Sequence, residues 1–375
     1  MSARSLLAVL AVCVTALPVA GCGSDDSESA SSGGSAEQGK QIKVGLVTDI
    51  GGLNDRSFNQ LANDGLKRAQ SELGIQGRVL TSRANADYVP NLSTLAQQKY
   101  DLIIGVGFLM AEAVNTVAKK FPNANIAIID QSQSLLKGKP ANVRGLIFKE
   151  QQAGYLAGYL AGLYAKKEGG SKQTIGSVGG QKIPPVDHYI AGYQAGAKAA
   201  NPKIKTLNGY SQDFVDQAKC KELALNQIGE GATVVFQVAG QCGLGVIDAA
   251  KEKQVQAIGV DADQSYLGPQ VLTSAVKKVD VAVFDTVKLA QDGGFKGGTD
   301  QVFELKNDGV GLGKISAAGK EFEPQVQKLA EQIKSGGVGL GTVSAAGQPF
   351  EADVKKVQDQ IASGEITDIP TELGK

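Results

Sequence analysis

The sequence has no tryptophan and a single histidine, His188. Metal sites built on several histidines are therefore excluded, because one imidazole cannot supply them. Basic and acidic residues are equal, at 38 each, so no global charge bias favours nucleic acid as a partner. Aromatic residues make up only 5% of the chain, whereas glycine occurs 48 times. This balance favours an α/β chain with many glycine turns, and 375 residues are enough for two domains.

The N-terminal apolar run, Leu6–Val19, follows Arg4 and is too short to span a bilayer. It predicts an export signal over residues 1–21. Val19-Ala20-Gly21-Cys22 is typical of a lipobox, in which the chain is cut before Cys22 and its thiol carries a diacylglycerol. A chance cysteine after an ordinary signal peptide is the alternative. A lipid anchor would hold the protein at the extracytoplasmic face of the cell membrane, with the polar residues 22–40 as a disordered tether.

Cysteine is also scarce, with four copies. Cys13 would leave with the signal and Cys22 would be lipidated. Cys220 and Cys242 then remain in an exported chain, where disulfides form and persist. We expect these two to be bonded, and two separate buried thiols are the alternative.

Most of the chain's organisation starts from residues 42–74. Ile42–Val47 is a short β-branched run that predicts a buried strand of a parallel sheet. The glycine pair Gly51-Gly52 predicts a sharp turn. Ser57, with Gln60 three residues later, predicts a capping box at the start of a helix that ends at Gly74.

Strand and helix patterns then alternate twice, which predicts two doubly wound α/β domains with a binding cleft between them. Asp49, Phe58 and Asn59 would converge at the carboxyl end of the first strand, where open α/β sheets bind ligands. Asp130 and Asp261 end two later strands. Their alternative role is to cap the helices that follow, because aspartate is a favoured cap.

The C-terminus contains an internal repeat. Gly309–Gly319 recurs with two changes as Gly337–Gly347, and the match resumes at Ser335-Gly336 and Ser363-Gly364. Two copies are too few for a solenoid. The pattern indicates a tandem duplication, with a helix predicted in each copy over residues 324–333 and 352–361, and a functional role for the second copy is the less favoured interpretation.

Eight phrases, in order along the chain, resemble one known family. They are Val47-Thr-Asp-Ile-Gly-Gly52, Ser57-Phe-Asn59, Asp101-Leu-Ile-Ile-Gly-Val-Gly-Phe108, Ala127-Ile-Ile-Asp130, Phe148-Lys-Glu150, Ala191-Gly-Tyr193, Ile258-Gly-Val-Asp-Ala-Asp-Gln264 and Thr273-Ser-Ala-Val-Lys277. Together they resemble the basic membrane protein (BMP) family of ABC-transporter substrate-binding lipoproteins, which includes purine-nucleoside receptors. The likeness covers residues 43 to about 335.

The resemblance implies a type I periplasmic-binding-protein fold, with two doubly wound lobes joined by crossing strands and closed by a hinge. The lobes would comprise residues 41–148 with about 264–300, and residues 149–263. Residues 301–375 would hold a crossing strand and the duplicated segment. The implied partners are an ABC permease and its ATPase. We expect no nucleic-acid partner and no cofactor, and we expect the protein to be a monomer.

The implied ligand is a nucleoside, with a purine base favoured. Phe58 would stack on the base and Asp261 would bind the ribose hydroxyls, with Lys277 nearby. A carboxylate suits a diol because it accepts several hydrogen bonds. The whole ligand-binding set implied by the resemblance and the turns is Asp49, Phe58, Asn59, Gly107, Asp130, Gly240, Asp261 and Lys277.

One departure from the family concerns Gly240-Gln-Cys-Gly243, where members often carry a Gly-Gly-Thr-Gly-like turn. This glycine-rich turn also supports a rival prediction of a dinucleotide enzyme, with Asp261 about 20 residues on, although its spacing differs from the usual fingerprint. Two other enzyme readings are a nucleoside hydrolase and a Cys242 nucleophile served by His188. A lipid-anchored sensor without a transporter is a further alternative.

Overall fold

The computed structural model describes residues 40–336. The predicted signal segment, Cys22, the tether and the second copy of the duplication lie outside the described residues. Across this part of the chain, no helix is both long and apolar enough to cross a membrane.

The first lobe is built on six parallel strands. Its strands are β1 (Lys43–Val47), β2 (Gln76–Leu80), β3 (Leu102–Gly105), β4 (Ile126–Ile129), β5 (Val143–Phe148) and β12 (Thr299–Phe303). The sheet order is β12-β5-β4-β3-β1-β2. Its helices are α1 (Phe58–Leu73), α2 (Tyr88–Gln97), α3 (Ala111–Lys120) and α8 (Val279–Gln291). Because helices cover both faces, strands β3 and β4 are buried along their whole length.

The second lobe is built on a seven-stranded sheet. Its strands are β6 (Thr174–Gly179), β7 (Lys205–Thr206), β8 (Gly209–Tyr210), β9 (Ala232–Val238), β10 (Gln256–Asp261), β11 (Val271–Lys277) and β13 (Val310–Leu312). Six of these strands follow the order β13-β11-β10-β9-β6-β7, and the short strand β8 pairs with β6. Among the strands of residues 40–336, only β13 is antiparallel, and it pairs with β11. The helices are α4 (Glu150–Glu168), α5 (Pro184–Ala200), α6 (Gln217–Gly229), α7 (Leu244–Lys253) and α9 (Glu323–Lys334).

Glycine has a second use here besides turns, because it allows α4 and α5 to pack closely. A Cβ added at Gly158 would lie 1.9 Å from the Tyr193 backbone oxygen, and one at Gly154 would lie 2.3 Å from that of Tyr189. On α5, a Cβ added at Gly196 would lie 2.0 Å from the Tyr155 backbone oxygen of α4. The two helices therefore touch backbone to backbone, which only glycine permits.

The structure changes the predicted lobe boundaries. The resemblance places residues 264–300 in the first lobe, but β11 lies in the second sheet between β10 and β13. The prediction is therefore wrong for residues 264–277, because alternation of strands and helices does not tell which sheet a strand joins. The chain crosses between lobes after β5, after β11 and between β12 and β13.

The predicted pattern also contains no helix between residues 83 and 100, yet α2 lies there. Pro90 falls in its first turn, where the missing N–H has no intrahelical partner to lose. The proline therefore starts this helix rather than breaking it.

Candidate functional site

All eight predicted ligand-binding residues line one cleft between the two lobes. The cleft encloses about 630 Å³ of space free of protein atoms, its open mouth included. Side chains from both lobes bridge it directly. Ser57 Oγ donates to Asp261 Oδ2 at 2.9 Å, and Gln264 Nε2 donates to the Arg56 backbone oxygen at 3.2 Å.

Asp49 follows β1 and is held from three sides. The Ile50 backbone N–H donates to its Oδ1 at 2.8 Å, and the Tyr88 hydroxyl donates to the same oxygen. The Asn59 side-chain oxygen accepts from the Asp49 backbone N–H at 2.8 Å. Because Oδ1 takes both bonds, Oδ2 is left on the side of Gly107. Burial raises the pKa of Asp49 to about 6, although the bonds from Tyr88 and Ile50 oppose the rise.

Gly107 keeps space open beside that carboxylate. Its φ of 110° lies in a region that favours glycine. A Cβ there would lie 2.5 Å from Asp49 Oδ2 and 3.3 Å from the edge of the Phe58 ring. Any larger residue would therefore displace the two side chains that form this corner of the cleft.

Asp55 is a site residue that the sequence analysis missed. Its carboxylate accepts from the backbone N–H groups of Ser57 (3.1 Å), Asn59 (2.7 Å) and Gln60 (3.1 Å), so it caps α1. The predicted capping box is therefore wrong, since the Ser57 side chain makes no cap bond and instead reaches across to Asp261. The aspartate two residues before Ser57 was the available signal.

Lys277, at the end of β11, is buried between two carboxylates. Its Nζ donates to Asp130 Oδ2 at 2.7 Å and to Glu150 Oε1 at 3.2 Å. Burial would lower the pKa of Lys277, but Asp130 and Glu150 outweigh it and raise that pKa above its usual value. The ammonium therefore stays charged in the interior, because its charge is paired with these carboxylates.

Asp130 presents an unused acceptor to this cluster. Its Oδ1 is buried and has no hydrogen-bond partner among residues 40–336. Burial raises the pKa of the Asp130 carboxyl, with Lys277 acting in the opposite direction. Since a buried, unsatisfied acceptor is costly, a donor on a ligand would be well placed here.

Asp261 ends β10 and is also fully enclosed. It accepts from Ser57 Oγ at 2.9 Å and from the Tyr189 hydroxyl at 3.1 Å. Burial raises its pKa, although Lys277 opposes the rise. Within the described part of the chain, neither Asp130 nor Asp261 accepts from the N-terminus of a helix. The alternative that they are helix caps is therefore not observed.

Aromatic side chains from opposite lobes form the apolar walls. Phe58 lies at the first turn of α1, and Lys277 Nζ lies 4.9 Å from the centre of its ring. Phe214, from the second lobe, lines the same cleft and was missed, because no strand or helix pattern surrounds it. A Cβ at Gly180 would lie 2.3 Å from the Phe214 ring, so that glycine makes room for it.

Cys220 and Cys242 are bonded, as predicted, with their Cα atoms 5.6 Å apart. The bond ties α6 to the turn after β9, the turn that contains Gly240. In that turn the Cys242 backbone N–H donates to the Phe214 backbone oxygen at 3.0 Å. Cys242 is therefore not a free nucleophile, and it fixes one wall of the cleft.

The glycine-rich turn does not leave room for a phosphate at its last two glycines. A Cβ at Gly243 would lie 1.8 Å from the Gln237 side chain, and one at Gly245 would lie 2.0 Å from the Gln217 backbone oxygen. These glycines serve internal packing, which argues against the dinucleotide interpretation. No cluster of three or more His, Cys, Asp or Glu side chains able to hold a metal occurs within residues 40–336.

Two α/β lobes, with polar and aromatic groups from both meeting in one cleft, define a solute-binding protein. Residues 42–343 match the family described as PnrA-like ABC transporter substrate-binding proteins, Bmp, and the chain belongs to this family. The predicted fold class and family are thereby confirmed. The matched family consists of substrate-binding proteins rather than enzymes, and this chain is likewise not an enzyme.

Individual relatives support the same family assignment. The chain is 35% identical to the ABC transporter nucleoside-binding protein BmpA of Lactococcus lactis, over 88% of this chain and 97% of that protein. It is 35% identical to an uncharacterized lipoprotein of Pyrococcus horikoshii, over 88% of this chain and 82% of the relative. A crystal structure of an ABC transporter solute-binding protein from Aeropyrum pernix superposes with a TM-score of 0.69 at 29% identity, covering 88% of this chain and 94% of that one.

Proposed function

We propose that this protein binds a nucleoside, with a purine base favoured, in the cleft between its lobes and delivers it to the permease of an ABC importer. The observation that carries the proposal is the arrangement of cleft groups. Two phenylalanines from opposite lobes supply apolar faces, and carboxylates from both lobes surround the remaining space. A nucleoside has the same two parts, a flat base and a polyhydroxylated sugar.

The base would lie between Phe58 and Phe214. Stacking on an aromatic ring contributes about 1–3 kcal/mol per base. Asp49 Oδ2 lies at the edge of this space beside Gly107, where it would accept from a ring or exocyclic N–H of the base. Purines and pyrimidines both carry such donors on their Watson–Crick edges, so this contact supports a nucleobase, and the preference for a purine rests on the resemblance to purine-nucleoside receptors.

The sugar would lie toward Asp261, Asp130 and Lys277. Asp130 Oδ1 is the buried acceptor without a partner, and a ribose hydroxyl would satisfy it. Asp261 would accept from the neighbouring hydroxyl, while the Lys277 ammonium offsets part of the negative charge of Asp130, Asp261 and Glu150. Because these groups come from both lobes, a bound sugar would hold the lobes together, as hinge closure requires.

Delivery and anchoring follow from the family and the N-terminal sequence. An ABC permease and its ATPase are the proposed partners, and the protein would act as a monomer. We further propose that Cys22 carries the lipid that holds it at the extracytoplasmic face, and several relatives are named lipoproteins. Metabolic labelling with a radiolabelled fatty acid tests the anchor. Label should enter the wild type and be absent from Cys22→Ala.

The ligand proposal is tested on protein purified directly from cells. The protein is denatured, and the released small molecules are identified by mass spectrometry beside a Phe58→Ala/Asp261→Ala variant purified in parallel. We expect a purine nucleoside in near-stoichiometric amount from the wild type and a much smaller amount from the variant. Equal amounts from both proteins, or the release of another class of solute, would contradict the proposal.

A further inference from the structure

The first copy of the C-terminal duplication, residues 309–336, packs on the second lobe. Its strand β13 pairs with β11, so that Val310 lies opposite Lys277 and Gly311 opposite Val276. The backbone continues this pairing, since the Gly313 N–H donates to the Ser274 oxygen and the Ser316 N–H to the Leu272 oxygen, both at 2.9 Å. Residues 309–336 are called the first repeat below, and residues 337–364 the second repeat.

The side chains of the first repeat that are buried occupy few positions. They are Val310, Ile315, Phe322, Val326 and Ile333. Three glycines of the first repeat also pack too closely for a larger residue. A Cβ added at Gly309 would lie 2.5 Å from Phe303. One at Gly313 would lie 2.8 Å from Asp263, and one at Gly319 would lie 2.9 Å from Leu272. These eight positions set what the second lobe requires of an occupant.

The second repeat satisfies that requirement. Its residues at the five buried positions are Val338, Val343, Phe350, Val354 and Ile361, and at the three glycine positions Gly337, Gly341 and Gly347. Only Ile315 is changed, to the similar Val343. A volume-conserving apolar change of this kind is well tolerated.

Most other differences between the repeats fall on exposed or half-buried positions, and two of the half-buried ones, Leu329 and Ala330, pack against the core and have Val357 and Gln358 as counterparts. Glu321 forms an exposed ion pair with Lys167, and its counterpart is Pro349. Lys334 contacts Asp308 and Glu331, and its counterpart is Ala362. Exposed pairs of this kind contribute little to stability. The two repeats are therefore matched at the buried positions and differ mainly at positions that the first repeat leaves exposed or half-buried.

We propose that the second repeat is an alternative occupant of the surface on β11 and α4 that the first repeat covers. The first repeat is favoured in the intact chain, because docking the second would close a loop of roughly 28 residues, which costs entropy. Release of the first repeat is feasible, since α9 buries only Val326 and Ile333. The chain thus carries a second segment that can pair with β11, the strand that ends at Lys277.

The test uses three variants of the full chain. The first carries Phe322→Asp, Val326→Asp and Ile333→Asp, the second carries the matched changes Phe350→Asp, Val354→Asp and Ile361→Asp, and the third carries all six. We expect the second variant to melt like the wild type. The melting temperature of the first variant should fall by about 5–10 °C, because docking the second repeat closes a loop. That of the third variant should fall by roughly a further 5 °C or more, because neither repeat can dock. If the first and third variants melt together, the proposal is overturned.

Deletions provide a second measurement if the charged variants do not fold. Removal of residues 309–336 joins Asp308 directly to Gly337 without a loop, and removal of residues 337–364 is the matched control. The two shortened chains should have melting temperatures within about 3 °C of each other. A chain without the first repeat that fails to fold, beside a folded control, would overturn the proposal.

Discussion

Lys277 Nζ lies 2.7 Å from Asp130 Oδ2 and thereby joins the end of β11 in the second lobe to the end of β4 in the first. Both side chains are at most 5% exposed. The pair is therefore both an electrostatic bridge between the lobes and a wall of the cleft. In the proposed binding mode, ligand binding and lobe closure would share these atoms, which would couple the two.

Replacing Lys277 by methionine would leave Asp130 and Glu150 without their buried counter-charge. We expect a loss of about 3–5 kcal/mol in the free energy of unfolding at neutral pH, because uncompensated buried charges are strongly destabilising. Chemical denaturation of the ligand-free protein measures it. Lys278→Met, at an exposed neighbouring position, is the control and should change little. Equal stabilities for the two variants would show that Lys277 does not neutralise the cluster.

Phe58→Ala and Phe214→Ala should each weaken nucleoside binding by about 5- to 150-fold, the equivalent of one lost stacking contact. Asp261→Ala should also weaken binding while leaving the fold intact, as judged by circular dichroism. Phe121→Ala removes an aromatic ring outside the cleft and serves as the control for calorimetric titration. Wild-type affinity in both Phe58→Ala and Asp261→Ala would mean that the site assignment is wrong.

The pH dependence of binding should report Asp49. Its pKa is raised to about 6, so the carboxylate takes up a proton as the pH falls through that value. A protonated Oδ2 no longer accepts from the base, and affinity should fall up to about tenfold between pH 6 and pH 5. Titrations across this range measure the effect. Asp49→Asn should bind more weakly at pH 7 and lack this step, and a step of equal size in that variant would exclude Asp49 as its source.

The Asp49 carboxyl also makes the stability of the ligand-free protein depend on pH. The pKa of Asp49 is higher in the folded state than in the unfolded chain, so the folded state binds the proton more tightly. Its contribution to stability is therefore present below about pH 4 and is lost as the pH rises to about 6. Asp49→Asn should remove this part of the pH dependence of the free energy of unfolding.

Gly158→Ala should destabilise the second lobe by about 2–3 kcal/mol or more, because the new methyl group would lie 1.9 Å from the Tyr193 backbone oxygen and would force α4 from α5. Gly229→Ala is the matched control. It adds the same methyl group at the end of α6, where no atom lies within 4 Å. Thermal unfolding separates the two, and equal melting temperatures would contradict the close packing of these helices.

The sequence was most informative where the relevant signal is local. The strand ending at Val47, the glycine turn and the start of α1 follow one another, so Asp49, Phe58 and Asn59 could be placed at one sheet edge from their order alone. Asp130 and Asp261 could be added because parallel strands end at a common edge.

Contacts between distant segments could not be predicted in this way. Tyr88 binds Asp49 from a helix 39 residues further along the chain, and the sequence pattern did not predict that helix. Phe214 lies in an irregular segment and owes its position to Gly180 and to the turn held by Cys242. The assignment of β11 to a lobe depends on its pairing with β10, which periodicity does not encode.

The most direct test of the central claim is calorimetric titration of residues 41–375, after unfolding and refolding to remove any ligand carried through purification. Adenosine, guanosine, inosine, cytidine and uridine are titrated, with ribose as the control. We expect saturable binding of at least one purine nucleoside at one site, with the nucleoside chemically unchanged after hours. No heat from any nucleoside, with the refolded protein shown to be native, would contradict it.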